Sequence, residues 1–197
     1  GLAPGARVAD LCTGTGVVAV AAAAAGAAQV SAFDICPEAV QHARCEALTA
    51  GVTVDVHRGS WARAVEFGPF DLVVVNPPYV PAPPTATDAA CPPATAGPSR
   101  AWDAGPDGRM VLDPLCAAAP LLLDEGATML IAQSACANVR RTLEALQAQG
   151  MHAEVVAQQL IPFGPVLSAR APWLTRAGLL PPGSTRERIV VIRADAP

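Results

Sequence analysis

The chain has 197 residues, 52% hydrophobic and 15% charged, which is enough apolar material for one domain with a sizeable buried core. Every basic residue is arginine, the formal net charge is -4 and the pI is about 5.3, so the sequence shows no electrostatic footprint for duplex DNA. The apolar run over residues 17–28 is interrupted by Gly26 and is too short to span a bilayer.

The cysteines Cys12, Cys36, Cys45, Cys91, Cys116 and Cys136 are scattered, with no C-x-x-C pair and no histidine at co-ligand spacing. That argues against structural zinc and a disulfide framework, and for free thiols in a reducing, cytoplasmic compartment. No signal-peptide pattern is apparent. The prolines gather between Pro77 and Pro106 and again from Pro162 to Pro182, which predicts long, stiff loops on a folded core.

In chain order, residues 7–12 read as a short strand running into the turn Thr13-Gly14-Thr15-Gly16. The Ala-rich helix that follows stops at Gly26. Residues 29–34 form a second strand, and Pro37 opens a helix that Gly51 closes, with Glu38 favouring its first turn. Residues 53–57, 71–76 and 127–133 are the third, fourth and fifth strands. Between the last two lie a loop and a helix over 109–123, which Pro114 and Pro120 bend or break. Val139, Leu143 and Leu146 share one helical face ended by Gly150. Strands at 152–160 and 188–193 complete the set. Alternation of strands and helices implies an α/β fold: a Rossmann-like, doubly wound, mostly parallel seven-stranded sheet with helices on both faces, in one domain over residues 1–197.

Two stretches carry chemistry. In the first, the buried strand Leu72-Val73-Val74-Val75 runs into Asn76-Pro77-Pro78-Tyr79. Pro77 and Pro78 have no N–H, so no sheet ladder continues, and Asn76 is held extended at the carboxyl end of the strand. In open α/β sheets that edge is where ligands bind. An amide, a bare proline carbonyl and an aromatic wall suit a planar nitrogen group as substrate. In the second, Asp10-Leu11-Cys12-Thr13-Gly14-Thr15-Gly16 precedes Asp34 at the end of the next strand. The glycines permit a tight turn and a close ligand, and the later acid is placed to accept from a ribose diol. Without G-x-G-x-x-G or a P-loop lysine, the pattern fits an adenosine ligand lacking a pyrophosphate.

These motifs resemble class I S-adenosylmethionine-dependent methyltransferases, and more closely the HemK/PrmC-like family that methylates the glutamine amide of peptide-chain release factors. The segment Trp102-Asp103-Ala104-Gly105-Pro106-Asp107-Gly108-Arg109 resembles the one before that family's next helix. The N-terminal helical domain of longer bacterial members is not recognisable, so the resemblance is to a compact form, or to a chain with further residues ahead of Gly1. It implies S-adenosylmethionine as cofactor, no metal, a release factor as protein substrate and, as in some compact members, a small activator subunit. By position, Asp10, Thr13, Gly14 and Gly16 would surround the methionine part of the cofactor, Asp34 would bind the ribose and Ile35 would pack on adenine. Ser60 stands where the family often carries Asp and offers the adenine edge a hydroxyl without charge. Trp61 either stacks on adenine or caps the core. Cys12 stands where the family often has Gly, a change a small side chain should tolerate.

On this reading Asn76, Pro77 and Tyr79 are catalytic, with Asn76 also beside the cofactor. Pro78 and Trp102 line the substrate, although an apolar anchor is an equal reading for Trp102. The segment 81–100 is either an inert loop or a lid leaving directly from Tyr79. Arg170, Arg176, Arg186 and Arg188 are read as a solvated surface, and His42, His57 and His152 as structural or solvated. The competing functions are a methyltransferase for exocyclic amines of nucleic acid, one for a small molecule, and a non-catalytic module that keeps the cofactor fold.

Overall fold

The computed structural model describes residues 5–85 and 89–197. Its strands are β1 (Arg7–Leu11), β2 (Gln29–Asp34), β3 (Asp55–Arg58), β4 (Phe70–Val75), β5 (Leu123–Ser134), β6 (His152–Pro162) and β7 (Arg186–Asp195). They form one seven-stranded sheet in the order β3-β2-β1-β4-β5-β7-β6. The pairs from β3 to β5 are parallel, whereas β7 runs antiparallel to both β5 and β6. The chain therefore leaves β1 toward one side of the sheet and resumes on its other side with β4, which opens a crevice at the carboxyl ends of these two strands.

The helices are α1 (Val17–Ala24), α2 (Pro37–Ala50), α3 (Leu112–Leu122), α4 (Val139–Gln147) and α5 (Pro165–Arg176). Strand alternation divides the core. Val8, Val30 and Ala32 pack with Ala19 of α1 and with Val40 and Ala43 of α2. Their neighbours Ala9, Leu11, Phe33, Val73 and Val75 join α3 and α4 in the larger cluster. Leu112, Leu115 and Leu122 of α3 are fully buried there, each contributing about 2 kcal/mol of hydrophobic stabilisation.

Three local expectations are corrected. First, α3 is continuous: Pro114 sits in its first turn, where the missing N–H breaks no bond, and Pro120 is accommodated inside the helix near its end. Second, the proline-rich stretch after Pro162 contains α5, which Pro165 opens at a position that favours proline and which carries Pro172 inside. Third, alternation of strands and α-helices fails once: a 3-10 segment, Trp61–Glu66, joins β3 to β4, whereas α5 separates β6 from β7 although that pair is antiparallel.

Candidate active site

Leu11 is paired with Phe33 on one side and Val75 on the other. The turn after β1, Asp34 and Asn76 therefore leave three neighbouring strands at one level of one edge. Asp10, 3% exposed, holds the turn from inside. Its Oδ2 accepts from the Thr13 hydroxyl at 2.6 Å and from the Ala19 backbone N–H at 3.0 Å, joining the turn to α1. Burial lifts its pKa from 3.8 to about 6 against the pull of those two bonds, and the charge of Asp34 adds to the rise. Asp34 accepts from the Gly14 N–H at 2.9 Å through one oxygen and from the Cys36 N–H at 2.8 Å through the other.

Gly14 and Gly16 have φ of 57° and 85°, and they differ in what surrounds them. A Cβ on Gly16 would lie 2.8 Å from Cα and Cβ of Ala43, so this glycine lets α1 approach α2. A Cβ on Gly14 would meet nothing within 4 Å, leaving open space on that side of the turn. Cys12 also has a left-handed φ of 57°, the conformation that glycine adopts without strain. Ile35 is 51% exposed beside Asp34, an apolar surface of the kind an adenine covers. Ser60 is exposed and caps the 3-10 segment, its Oγ accepting from the Ala62 N–H at 3.4 Å. Trp61 is half-buried against the main core. A carboxylate at the strand edge, open space over a glycine turn and an exposed Ile fit a nucleoside-bearing ligand.

Asn76 is exposed at the end of β4, Pro77 is buried, and Pro78 and Tyr79 are half-buried. The residues behind them explain the rigidity of this edge. Val80 donates to the Trp102 carbonyl at 2.9 Å, Ala104 donates back to Val80 at 3.0 Å, and Ala82 donates to Gly105 at 2.8 Å. The Trp102–Gly105 stretch thus backs the motif as a short parallel ribbon. Burial pushes the Tyr79 phenol up to about 12, and the charges of Glu187 and Cys136 act in the same sense. Tyr79 packs on the main core and on a second cluster of Val80, Cys136, Leu167 and Leu174, which Trp102 also touches.

Arg170 is the main correction among the arginines. It is 5% exposed, and α5 delivers it to the site: Nη1 donates to the Pro81 carbonyl at 2.8 Å and Nη2 lies 2.6 Å from Asp103 Oδ1. Its guanidinium stacks over the Trp102 ring at 4.5 Å. Arg186 and Arg188 are exposed, as expected, and so is Arg176. Two further arginines carry structure that the sequence did not disclose. Arg109, 2% exposed, bonds Asp113, the Ala137 carbonyl and the Thr142 hydroxyl, tying α3 to α4. Arg100 reaches Glu38 at 3.2 Å, so the loop after Tyr79 is fastened to the start of α2 close to Asp34. Of the segment 81–100, residues 86–88 lie outside the described residues. His57 stacks on Phe33 and contacts Phe67, a structural role, while His42 and His152 are exposed.

A family profile described as the methyltransferase small domain matches residues 2–91. A release factor glutamine methyltransferase of Deinococcus radiodurans is 41% identical over 126 residues, 64% of this chain and 44% of that protein. A provisional protein N5-glutamine methyltransferase of Methanocaldococcus jannaschii is 31% identical over 156 residues, covering 79% of this chain and 76% of the relative. The chain belongs to the HemK/PrmC-like family of class I methyltransferases. It spans less than half the length of the Deinococcus relative (44%). Among solved structures, Mtq2 of the E. cuniculi Mtq2–Trm112 complex, described as responsible for methylating the termination factor eRF1, superposes with a TM-score of 0.61 at 17% identity. That match covers 99% of this chain and 87% of the other, and it shows a shared fold. Membership accounts for the sheet order and the antiparallel β7, and the family is one that uses S-adenosylmethionine. No helix among the described residues is long and apolar enough to cross a membrane.

Proposed function

We propose that the chain is an S-adenosylmethionine-dependent N-methyltransferase that acts on the side-chain amide of the Gly-Gly-Gln glutamine in peptide-chain release factors. The observation that carries this reading is the placement of Asn76 and Pro77 at the same edge and level as the Asp10–Gly16 turn and Asp34. Asp10, Thr13, Gly14, Gly16, Asp34 and Ile35 would hold the cofactor, which supplies a methyl group already activated by its sulfonium. What the protein must add is orientation. An amide nitrogen is a poor nucleophile because its lone pair is delocalised into the carbonyl. Asn76 Oδ1 and the Pro77 carbonyl are two acceptors for the two N–H groups of a primary amide. Held in this way, the amide presents its lone pair along a fixed direction, while Tyr79 covers the amide plane and keeps water out.

The names of the relatives support the amide as acceptor. The Mtq2 structure, solved with Trm112, supports a small activator subunit as a second partner. The test is methyl transfer from labelled S-adenosylmethionine to a release factor, beside the same factor with its Gly-Gly-Gln glutamine changed to alanine and beside adenine-containing DNA. Label on the intact factor alone establishes the reading. Label on DNA alone overturns it in favour of an exocyclic amine, and label on the alanine factor overturns the assignment of that glutamine.

A further inference from the structure

Next to Tyr79 lies a carboxyl group that nothing in the preceding scheme uses. Glu187 is the second residue of β7 and only 8% exposed, and its Oε2 is buried with no hydrogen-bond partner among the described residues. Its position follows from register. Ile189 of β7 pairs with Ser134, the last residue of β5, so Glu187, two residues back toward the start of β7, stands beyond the carboxyl end of β5. That is the edge from which Asn76 also leaves β4, since Val75 pairs with Ile131. Strand periodicity puts Glu187 on the Ile189 face, away from Val190, Ile192 and Ala194 in the main core. The groups within electrostatic reach of it are Tyr79 and Cys136, with the Ser134 hydroxyl as a hydrogen-bonding neighbour.

An unpaired buried carboxyl oxygen is costly, and such a group in a folded protein calls for a donor. Cys136 is a weak donor, and the Ser134 hydroxyl, which accepts from the Cys136 backbone N–H, has a single proton and leaves Oε2 without a partner. The phenol of Tyr79 is a strong donor, held in the same pocket by Cys136 and Val80. The geometry points to Glu187 as the positioning residue of the site, its free oxygen accepting the Tyr79 hydroxyl and so fixing the plane of the ring. This rests on the proposed amide methylation for its purpose, because a ring that covers a planar acceptor is useful only at one orientation. The proposed hydrogen bond itself does not depend on that reading.

The chain contains a single tyrosine, which gives a direct test. Protein labelled with 13C at tyrosine Cζ shows one resonance, and donation from the hydroxyl moves it downfield. The spectrum is recorded for the wild type, Glu187→Leu and Glu187→Gln, each free and with S-adenosylhomocysteine added. The expected result is an upfield move in Glu187→Leu in at least one state, with Glu187→Gln, which keeps an acceptor oxygen, close to wild type. A resonance that Leu leaves unmoved in both states overturns the proposal. In the transfer assay, Glu187→Leu lowers kcat about 10- to 100-fold with little change in KM for S-adenosylmethionine. Glu187→Gln restores most of it, and adding Tyr79→Phe to Glu187→Leu costs nothing further; additive losses overturn the positioning role. If wild-type protein transfers nothing to the glutamine, the functional reading fails while the resonance still decides the contact.

Discussion

Gly108 approaches the backbone of Tyr79 so closely that a Cβ built on it would lie 2.5 Å from the Tyr79 carbonyl oxygen, at a φ of 76°. The same Cβ would meet Ala137 at 3.1 Å and Pro81 at 3.3 Å. The motif and the turn before α3 are thus built as one unit, with no room for a side chain between them.

Gly108→Ala therefore carries two penalties, a left-handed backbone and a backbone clash. Together they lower folding stability by about 2–4 kcal/mol. Relief requires the Tyr79 carbonyl to move, so turnover falls more than cofactor affinity does. Urea unfolding measures the first effect, and transfer kinetics with titration calorimetry the second. Unchanged stability would show that this turn can relax away from the motif.

Arg109 supports the same unit from below. Its guanidinium is bound by Asp113, the Ala137 carbonyl and the Thr142 hydroxyl, which in turn donates to Gln133 at 2.6 Å. Arg109→Leu strands the buried Ala137 carbonyl and takes from the Thr142 hydroxyl one of its two partners, and a loss of about 3 kcal/mol follows. Arg109→Lys keeps the charge but not the fork, so it recovers only part. Denaturant midpoints for the two variants separate charge from geometry. Equal stability of Leu and wild type would mean that this network contributes nothing net.

Much of the site was legible because its signals are local. The apolar run Leu72–Val75, the prolines that end it and the spacing from Gly14 to Asp34 each fit within a few turns of chain, and the structure brings Asp10, Asp34 and Asn76 to one edge. What escaped depends on partners far away in sequence. Arg170 meets Pro81 across 89 residues, Arg100 meets Glu38 across 62, and Arg109 meets Thr142 across 33. An arginine bound for the interior has no periodicity that separates it from a solvated one. Glu187 was invisible for a related reason: it alternates with exposed Arg186 and Arg188 as a surface strand would, and only its place beyond the end of β5 buries it. The missed α5 reflects proline read as a breaker, when Pro165 starts the helix.

Asn76→Ala removes one of two proposed acceptors and leaves the Asp10–Gly16 turn and Asp34 intact. Turnover falls about 100- to 1000-fold, the range for losing one preorganised hydrogen-bonding group at a reacting centre. Cofactor affinity stays near wild type. Single-turnover transfer and calorimetry on the same preparation read both quantities. Survival of turnover would remove Asn76 from the chemistry, and joint loss of binding and turnover would assign it to the cofactor instead.

Asp10 links the glycine turn to pH. Its pKa is about 6 in the folded protein against 3.8 ordinarily, chiefly because burial disfavours the charge. Between those values the folded chain keeps a proton that the unfolded chain has released. The stabilisation is complete below about pH 4, is lost as pH rises through 6 and stays lost above it, a change of the order of 2–3 kcal/mol. Asp10→Asn fixes a neutral group that still accepts from Thr13 and Ala19, so it matches wild type near pH 4 and exceeds it in stability at pH 7. Cofactor binding runs in the opposite sense. If the cofactor's ammonium lies against Asp10, it favours the ionised carboxylate, so affinity in wild type rises as pH climbs through 6, and Asp10→Asn loses that rise. Urea unfolding and calorimetry at pH 4.5, 6 and 7.5 on both proteins check the two slopes. Parallel stability curves would place the Asp10 pKa at its ordinary value, and parallel affinity curves would move the ammonium elsewhere.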